Sequence, residues 1–307
     1  MRDYWLTQEI LRASGFGFLA LALLGIGLAL WLPKTRTGKT WAFTVVATLI
    51  AIPMSQVVRG VVEAKEFEAR SDKARAMWQE RCKTAGEKIY KTVENVEGIY
   101  LMKIRTSSNH SNQFELDDPY GHDSTGDMYL LNFLRGFYHQ RTEALVPGSP
   151  PRVGYSYVEA EDAKDGQRYR YTGRLEEPWQ TNKAYSQGYK RFVLDRALAT
   201  GPVARYGITY DGISTHEERE YWLAGSSLKV IDFQTNEVIA ERIGYMVDLA
   251  QGSRAGQRSP WLFAANSACP GFQWNPNFPI TASNGGGSSQ QPGQTITFVE
   301  KVLKPSK

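Results

Sequence analysis

The order of apolar and polar positions divides the chain into blocks. Two runs without a charge, Gly15–Leu32 and Thr40–Val58, flank a basic link, Pro33–Lys39. At about 1.5 Å of helical rise per residue each run reaches roughly 27–29 Å, close to the ~30 Å of bilayer hydrocarbon. A backbone in lipid must satisfy its own hydrogen bonds, so the pattern predicts two membrane helices, 15–32 and 40–58. Trp31 and Trp41 stand at the ends that meet the link, where an amphipathic ring suits the headgroup layer. Pro53 removes one helical donor from the second run. Gly25 with Ala29, and Ala13 with Gly17, supply small-residue pairs at helix-contact spacing. Trp31-Leu32-Pro33-Lys34 stands where a signal peptide would carry small residues, which argues against cleavage there.

Beyond Gly60 the period changes. Val61 to about Lys91 contains no proline and is rich in Ala, Glu, Lys and Arg. Val62, Phe67, Ala74, Met77, Trp78, Cys82, Ala85 and Ile89 fall near a 3.6-residue repeat, predicting a helical stalk. After Gly98 the alternation shortens to two. Ile99–Arg105, Arg152–Glu161, Gln167–Tyr171, Arg205–Tyr210, Ser227–Phe233 and Glu237–Val247 read as strands, with hairpin turns at Asp165-Gly166 and Gln234–Asn236. Met128–Arg141 and Asn182–Leu198 read as helices, the second with Tyr185, Tyr189, Phe192 and Val193 on one side. The expected fold is a two-helix transmembrane hairpin, a helical stalk, and an α+β soluble domain with a mainly antiparallel sheet.

The expected divisions are a lead at 1–14, the hairpin at 15–60, the stalk at 61–97 and the soluble domain at 98–282. A linker at 283–294 and a C-terminal segment at 295–307 follow. Pro147–Pro151 marks a sub-boundary, and the uncharged Gly/Ser/Gln composition of 283–294 marks flexibility. The apolar residues of Thr295–Leu303 are expected to dock back on the domain.

The mean hydropathy is −0.41 despite two apolar runs, so the remainder is a water-facing body. A net charge of +4, dispersed along the chain, gives no basic patch for nucleic acid. Lys34, Arg36 and Lys39 form an acid-free cluster that the positive-inside rule places in the cytoplasm, leaving the body in the periplasm. Arg59, Lys65, Arg70, Lys73 and Arg75 favour the alternative, a cytoplasmic body. The two cysteines, Cys82 and Cys269, both follow the apolar runs. In an oxidising compartment they can pair, stabilising by ~4–5 kcal/mol in the chain-entropy model.

Candidate chemistry is sparse. Thr37-Gly-Lys-Thr40 imitates the end of a phosphate loop, but Pro33 occupies the position where the first glycine is needed. Ser226-Ser-Leu-Lys229 matches Ser-x-x-Lys without its companion motifs. Ser214 followed by Glu217 fits a helix capping box. Asp117, Asp118, His122, Asp123 and Asp127 share a turn-rich stretch that reads first as a solvated loop of Asx turns; its carboxylates could alternatively take calcium, although the spacing is not that of an EF-hand. Trp261, Phe263, Phe272 and Trp274 lie in an irregular segment that reads first as packing over the sheet by Cys269; exposed, these aromatics would instead contact a partner.

No catalytic set and no cofactor emerge. The function expected is a non-catalytic interaction or assembly module in a bacterial-type inner membrane, multi-pass, with a large periplasmic domain. Its partners would be the lipid bilayer and an envelope protein or polymer, with no nucleic acid; the apolar stalk stripe is expected to pack on the protein's own body, with homo-oligomerisation as the alternative. One alternative is a membrane- or cell-wall-associated enzyme with dispersed carboxylates and histidines. Another is an envelope sensor binding a small ligand or calcium.

Overall fold

The computed structural model describes residues 22–29, 31, 33–105, 112–115, 117–121, 124–135, 154–189, 191–272, 291 and 293–306. The chain divides into two compact units, Met1–Ala69 and Arg70–Lys307.

The second apolar run and the stalk form one helix, α1 (Arg36–Cys82), of which residues 36–69 belong to the first unit and 70–82 to the second. Thr35 starts it, its hydroxyl accepting the Gly38 N–H at 3.1 Å. The phosphate-loop look-alike therefore lies in a helical first turn rather than in an anion-binding loop. Lys34, Arg36 and Lys39 are all exposed there. Thr44, Thr48 and Ser55 return their hydroxyls to helix carbonyls at 2.7–2.8 Å, so the apolar stretch satisfies its own polar groups. Trp41, Leu49 and Ile52 lie exposed along it.

Among the described residues, α1 is the one helix long and apolar enough to cross a membrane, with a most apolar window of mean hydropathy 1.8. This corrects the expected two-helix hairpin to a single candidate span. Residues 22–29 of the first run are helical. Eight residues rise only about 12 Å, too little to cross hydrocarbon. Most of the remainder of that run lies outside the described residues.

The stalk also stops earlier than its pattern predicts. The helix closes at Cys82, and Gly86 follows with φ +151°, a conformation side chains rarely tolerate. The chain then enters strands β1 (Gly86–Ile89), β2 (Val93–Val96) and β3 (Gly98–Leu101). After α2 (Asp127–Leu134) come β4 (Tyr157–Glu161), β5 (Arg168–Glu176), β6 (Arg191–Leu198) and β7 (Tyr206–Gly212). Helix α3 (His216–Glu220) leads to β8 (Leu223–Asp232) and β9 (Glu237–Val247). Helix α4 (Pro260–Ala264), β10 (Ala268–Cys269), α5 (Gln294–Val302) and β11 (Leu303–Pro305) complete the order.

The main sheet runs β1-β9-β8-β7-β3-β4-β5-β6, with β10 on β9. It is mixed, which corrects the mainly antiparallel expectation. Strand β3 lies parallel to both β4 and β7, while β4–β5, β5–β6, β7–β8 and β8–β9 are antiparallel hairpins. Alternating hydrophobicity locates a strand but says nothing of the direction of a neighbour distant in sequence. A second, two-stranded sheet pairs β2 with β11 in parallel.

One face of the sheet carries the main core. Ile208, Tyr210, Leu228, Val230 and Ala240 pack with Phe133 of α2 and with Ile296, Phe298, Val299 and Val302 of α5. On the opposite face Leu223, Tyr245 and Val247 meet Ala74, Met77 and Trp78, the last turns of α1. Cys82 and Cys269 are disulfide-bonded beside them, Cα–Cα 5.6 Å, which ties the end of α1 to β10.

Helix α3 begins one residue later than the sequence suggests. Thr215, not Ser214, accepts the Glu218 N–H at 3.2 Å, and the Glu218 carboxylate accepts the Thr215 N–H at 2.7 Å. Glu218 also pairs with Arg81 at the end of α1, so the cap anchors two elements. Thr215→Ala is expected to cost about 1 kcal/mol in denaturant unfolding of the full chain. An unchanged midpoint would show that the cap carries no stability.

Candidate interaction surface

Of the acidic stretch considered for calcium, Asp118 is built into the core, while Asp117 and Asp127 are exposed. Asp118 is buried and meets the equally buried Arg105 at 2.6 Å. It also accepts the Gly121 N–H at 2.9 Å. Burial opposes the charge on Asp118, but Arg105 and the Gly121 N–H outweigh it and hold the carboxyl below its ordinary pKa. The Arg105 guanidinium lies 4.0 Å from the centre of the Tyr210 ring.

The backbone around Asp118 is also spoken for. Arg219, buried behind the loop, donates to the carbonyls of Gln113 and Asp117, each at 3.4 Å. Gln291 donates to those of Pro119 and Tyr120 at 2.7 and 2.8 Å, and Thr295 to that of Gly121 at 3.2 Å. Tyr120, its pKa pushed up to about 12 by burial, donates to the Pro270 carbonyl at 2.9 Å. Its ring covers Gly244 of β9, where a Cβ would collide with it. Among the described residues no three His, Cys, Asp or Glu side chains gather as metal ligands. Asp117 and Asp127 stand apart from such a group, and His122 and Asp123 lie outside the described residues. Asp118–Gly121 are thus packed into the core, their polar groups met by Arg105, Gln291 and Thr295 from elsewhere in the chain.

The aromatic segment divides. Trp261 is fully buried against Trp222, Ala224, Met246 and Ala264, its indole N–H donating to the Asn112 carbonyl at 2.7 Å. Phe272 packs on Tyr120, ring centres 4.9 Å apart. Phe263 is exposed, under the Arg258 guanidinium. Trp274 lies outside the described residues. Trp261 and Phe272 therefore serve the fold, leaving Phe263 as the exposed member.

Strand geometry also dismantles the Ser-x-x-Lys match. Residues three apart on β8 point to opposite faces of the sheet. Ser226 is buried on the core side, while Lys229 approaches Glu241 at 3.9 Å on the other.

The feature that sequence reading missed is the β5–β6 ribbon. Asn182–Leu198 was expected to be helical; instead residues 191–198 form β6, paired with β5 over eight consecutive positions without a bulge. The segment Arg191-Phe-Val-Leu-Asp-Arg196 fits two periods, and the turn residues Gln187-Gly188 before it were the signal for a strand. At the tip, Pro178–Gln180 form a 3-10 turn. The Lys183 ammonium sits 3.3 Å from the centre of the Trp179 ring. Tyr185 and Tyr189 stack with centres 5.7 Å apart and planes 5° from parallel. Residues 180–188 are exposed throughout. Ion pairs brace the ribbon: Arg191–Glu176 at 2.6 Å, Arg174–Asp195 at 2.8 Å and Arg196–Asp162 at 2.7 Å. The result is a preformed aromatic platform on a hydrogen-bonded arm. Such a surface offers large contact area at low conformational cost. Compared with protein-family models, curated proteins and solved structures, the chain matches none.

Proposed function

We propose that the protein is a membrane-anchored, non-catalytic interaction module whose sheet unit works in an oxidising, periplasm-like compartment. The observation that carries this reading is the ribbon tip, where Trp179, Tyr185 and Tyr189 are held ready on an ordered hairpin. Tyr185 is exposed on its stack with the half-buried Tyr189, and such an aromatic gains most when a protein partner covers it. The apolar stretch of α1 supplies the anchor. The Cys82–Cys269 disulfide supports the compartment, because such bonds persist outside the reducing cytoplasm.

A photoreactive phenylalanine analogue at position 185, in the full chain in its native membrane, tests the reading. Covalent protein adducts are expected at 185 and not at 217, an exposed position on α3. Equal yields at the two positions would overturn it.

A further inference from the structure

Among the described residues, β6 has a neighbour on one side only, and its outer edge is open. The other end of the sheet is a four-residue strand, β1, that carries Glu87 and Lys88. Natural sheets blunt long edges with proline, bulges or unmatched charge, because an open edge invites another strand. Strand β6 is eight residues long, has no proline and pairs without a bulge.

We propose that the β6 edge pairs antiparallel with β6 of a second copy of this chain, on a two-fold axis through Val193. The proposal rests on the interaction-module reading and names a partner for the ribbon's edge. Two observations select the register. The first is backbone direction. Ala199 N–H donates to the Arg168 carbonyl at 2.9 Å, so residues 199, 197, 195, 193 and 191 bond toward β5. The alternate residues, Phe192, Leu194, Arg196 and Leu198, turn their N–H and C=O groups to the open edge. Pairing about Val193 sets Phe192 opposite Leu194 of the second copy, joining outward groups to outward groups.

The second observation is charge order. Arg191-Phe-Val-Leu-Asp195 is a palindrome in character: cation, apolar, apolar, apolar, anion. An axis at Val193 sets Arg191 opposite the Asp195 of the second copy at both ends. Centring the axis on Leu194 leaves both charges facing apolar residues, and centring it on Asp195 sets like charges together. Arg191 and Asp195 lie on the same face as Val193, where Glu176 and Arg174 already hold them extended across the ribbon. One position further on, the same register sets Arg196 opposite Lys190 of the second copy, a like-charge pair that the Arg196–Asp162 ion pair within each chain offsets. These surface pairs specify register more than strength. With the axis at Val193 only five residues of each β6, 191–195, face each other, a small interface, so confinement by the membrane anchor would raise its occupancy through effective concentration.

Cysteine scanning in the full chain, in membranes, tests the geometry. Both native cysteines are already bonded to each other, so an introduced thiol reports alone. Val193→Cys falls on the axis, where opposed Cα atoms of a non-hydrogen-bonded pair stand about 4.5 Å apart, within disulfide reach. Mild oxidation is expected to give at least fivefold more disulfide dimer with Val193→Cys than with Ala197→Cys, four residues off the axis. Equal yields at 193 and 197 would overturn the proposal as random collision. On the Val193→Cys background, Arg191→Asp alone and Asp195→Arg alone are each expected to lose most of the dimer. Mixing two tagged chains, one with each substitution, restores opposite charges at both ends. A heterodimer recovering to the parental yield is expected. No recovery would overturn the register, because contacts within each chain are the same alone and mixed. Adducts at position 185 combined with no dimer at 193 would sink this inference and leave the interaction-module reading standing.

Discussion

Replacing Cys82 with serine is expected to lower the unfolding free energy of the full chain by about 4–5 kcal/mol, more than any surface change. The bond joins residues 187 apart, and the chain-entropy model assigns its stabilisation to the freedom removed from the unfolded state. The native geometry adds a second reason. Residues 70–82 of α1 pack on the sheet through a narrow apolar seam of Ala74, Met77 and Trp78. Strand β10, which carries Cys269, is two residues long and pairs only with Met246 and Tyr245 of β9. Each element is a weak attachment alone, and the disulfide makes them one. Denaturant unfolding in detergent reads the loss as a lower midpoint. Reductant should shift the wild type by the same amount and leave Cys82→Ser unmoved. A Cys82→Ser midpoint equal to wild type would refute the stabilising role. In intact cells, both thiols should resist alkylation until reduced. Labelling without reductant would overturn the assignment to an oxidising compartment.

Local periodicity gave a good account of hairpins and a poor one of everything set by distant partners. The Asp165-Gly166 turn and the Gln234–Asn236 turn each separate strands that pair with each other, because turn chemistry and strand register are local. The parallel placement of β3 between β4 and β7 depends on segments far along the chain, and no residue in Gly98–Leu101 encodes it. Tyr185, Tyr189, Phe192 and Val193 satisfy a helical spacing by coincidence, and the pairing of β6 with β5 overrides it. Asp118 illustrates the same limit at the candidate site. Four aspartates in a turn-rich stretch look alike as ligands, yet Asp117 and Asp127 stay exposed while Arg105 arrives from elsewhere to pair with Asp118 in the core. Trp261 likewise reads as a loop aromatic and proves to be a fully buried side chain.

That burial makes Asp118 the position where a one-atom change should matter most after the disulfide. Asp118→Asn keeps the shape and removes the carboxylate that meets the Arg105 guanidinium, itself buried against Tyr210 and Tyr129. Breaking a buried pair from one side costs about 3–5 kcal/mol, because the surviving charge keeps its desolvation penalty. Asp118→Leu with Arg105→Met removes both charges and should recover most of that loss, which a double-mutant cycle would read as strong coupling. The pH dependence follows from the same pair. The carboxyl of Asp118 titrates below its ordinary value in the folded chain. Its contribution is therefore complete above the unfolded pKa of about 3.9, and it disappears as pH falls through the lower folded value. Denaturant midpoints of wild type and Asp118→Asn should thus stand far apart at neutral pH and converge in strong acid. Midpoints that stay parallel down to the acid limit would show that Asp118 does not fold as the charged partner of Arg105.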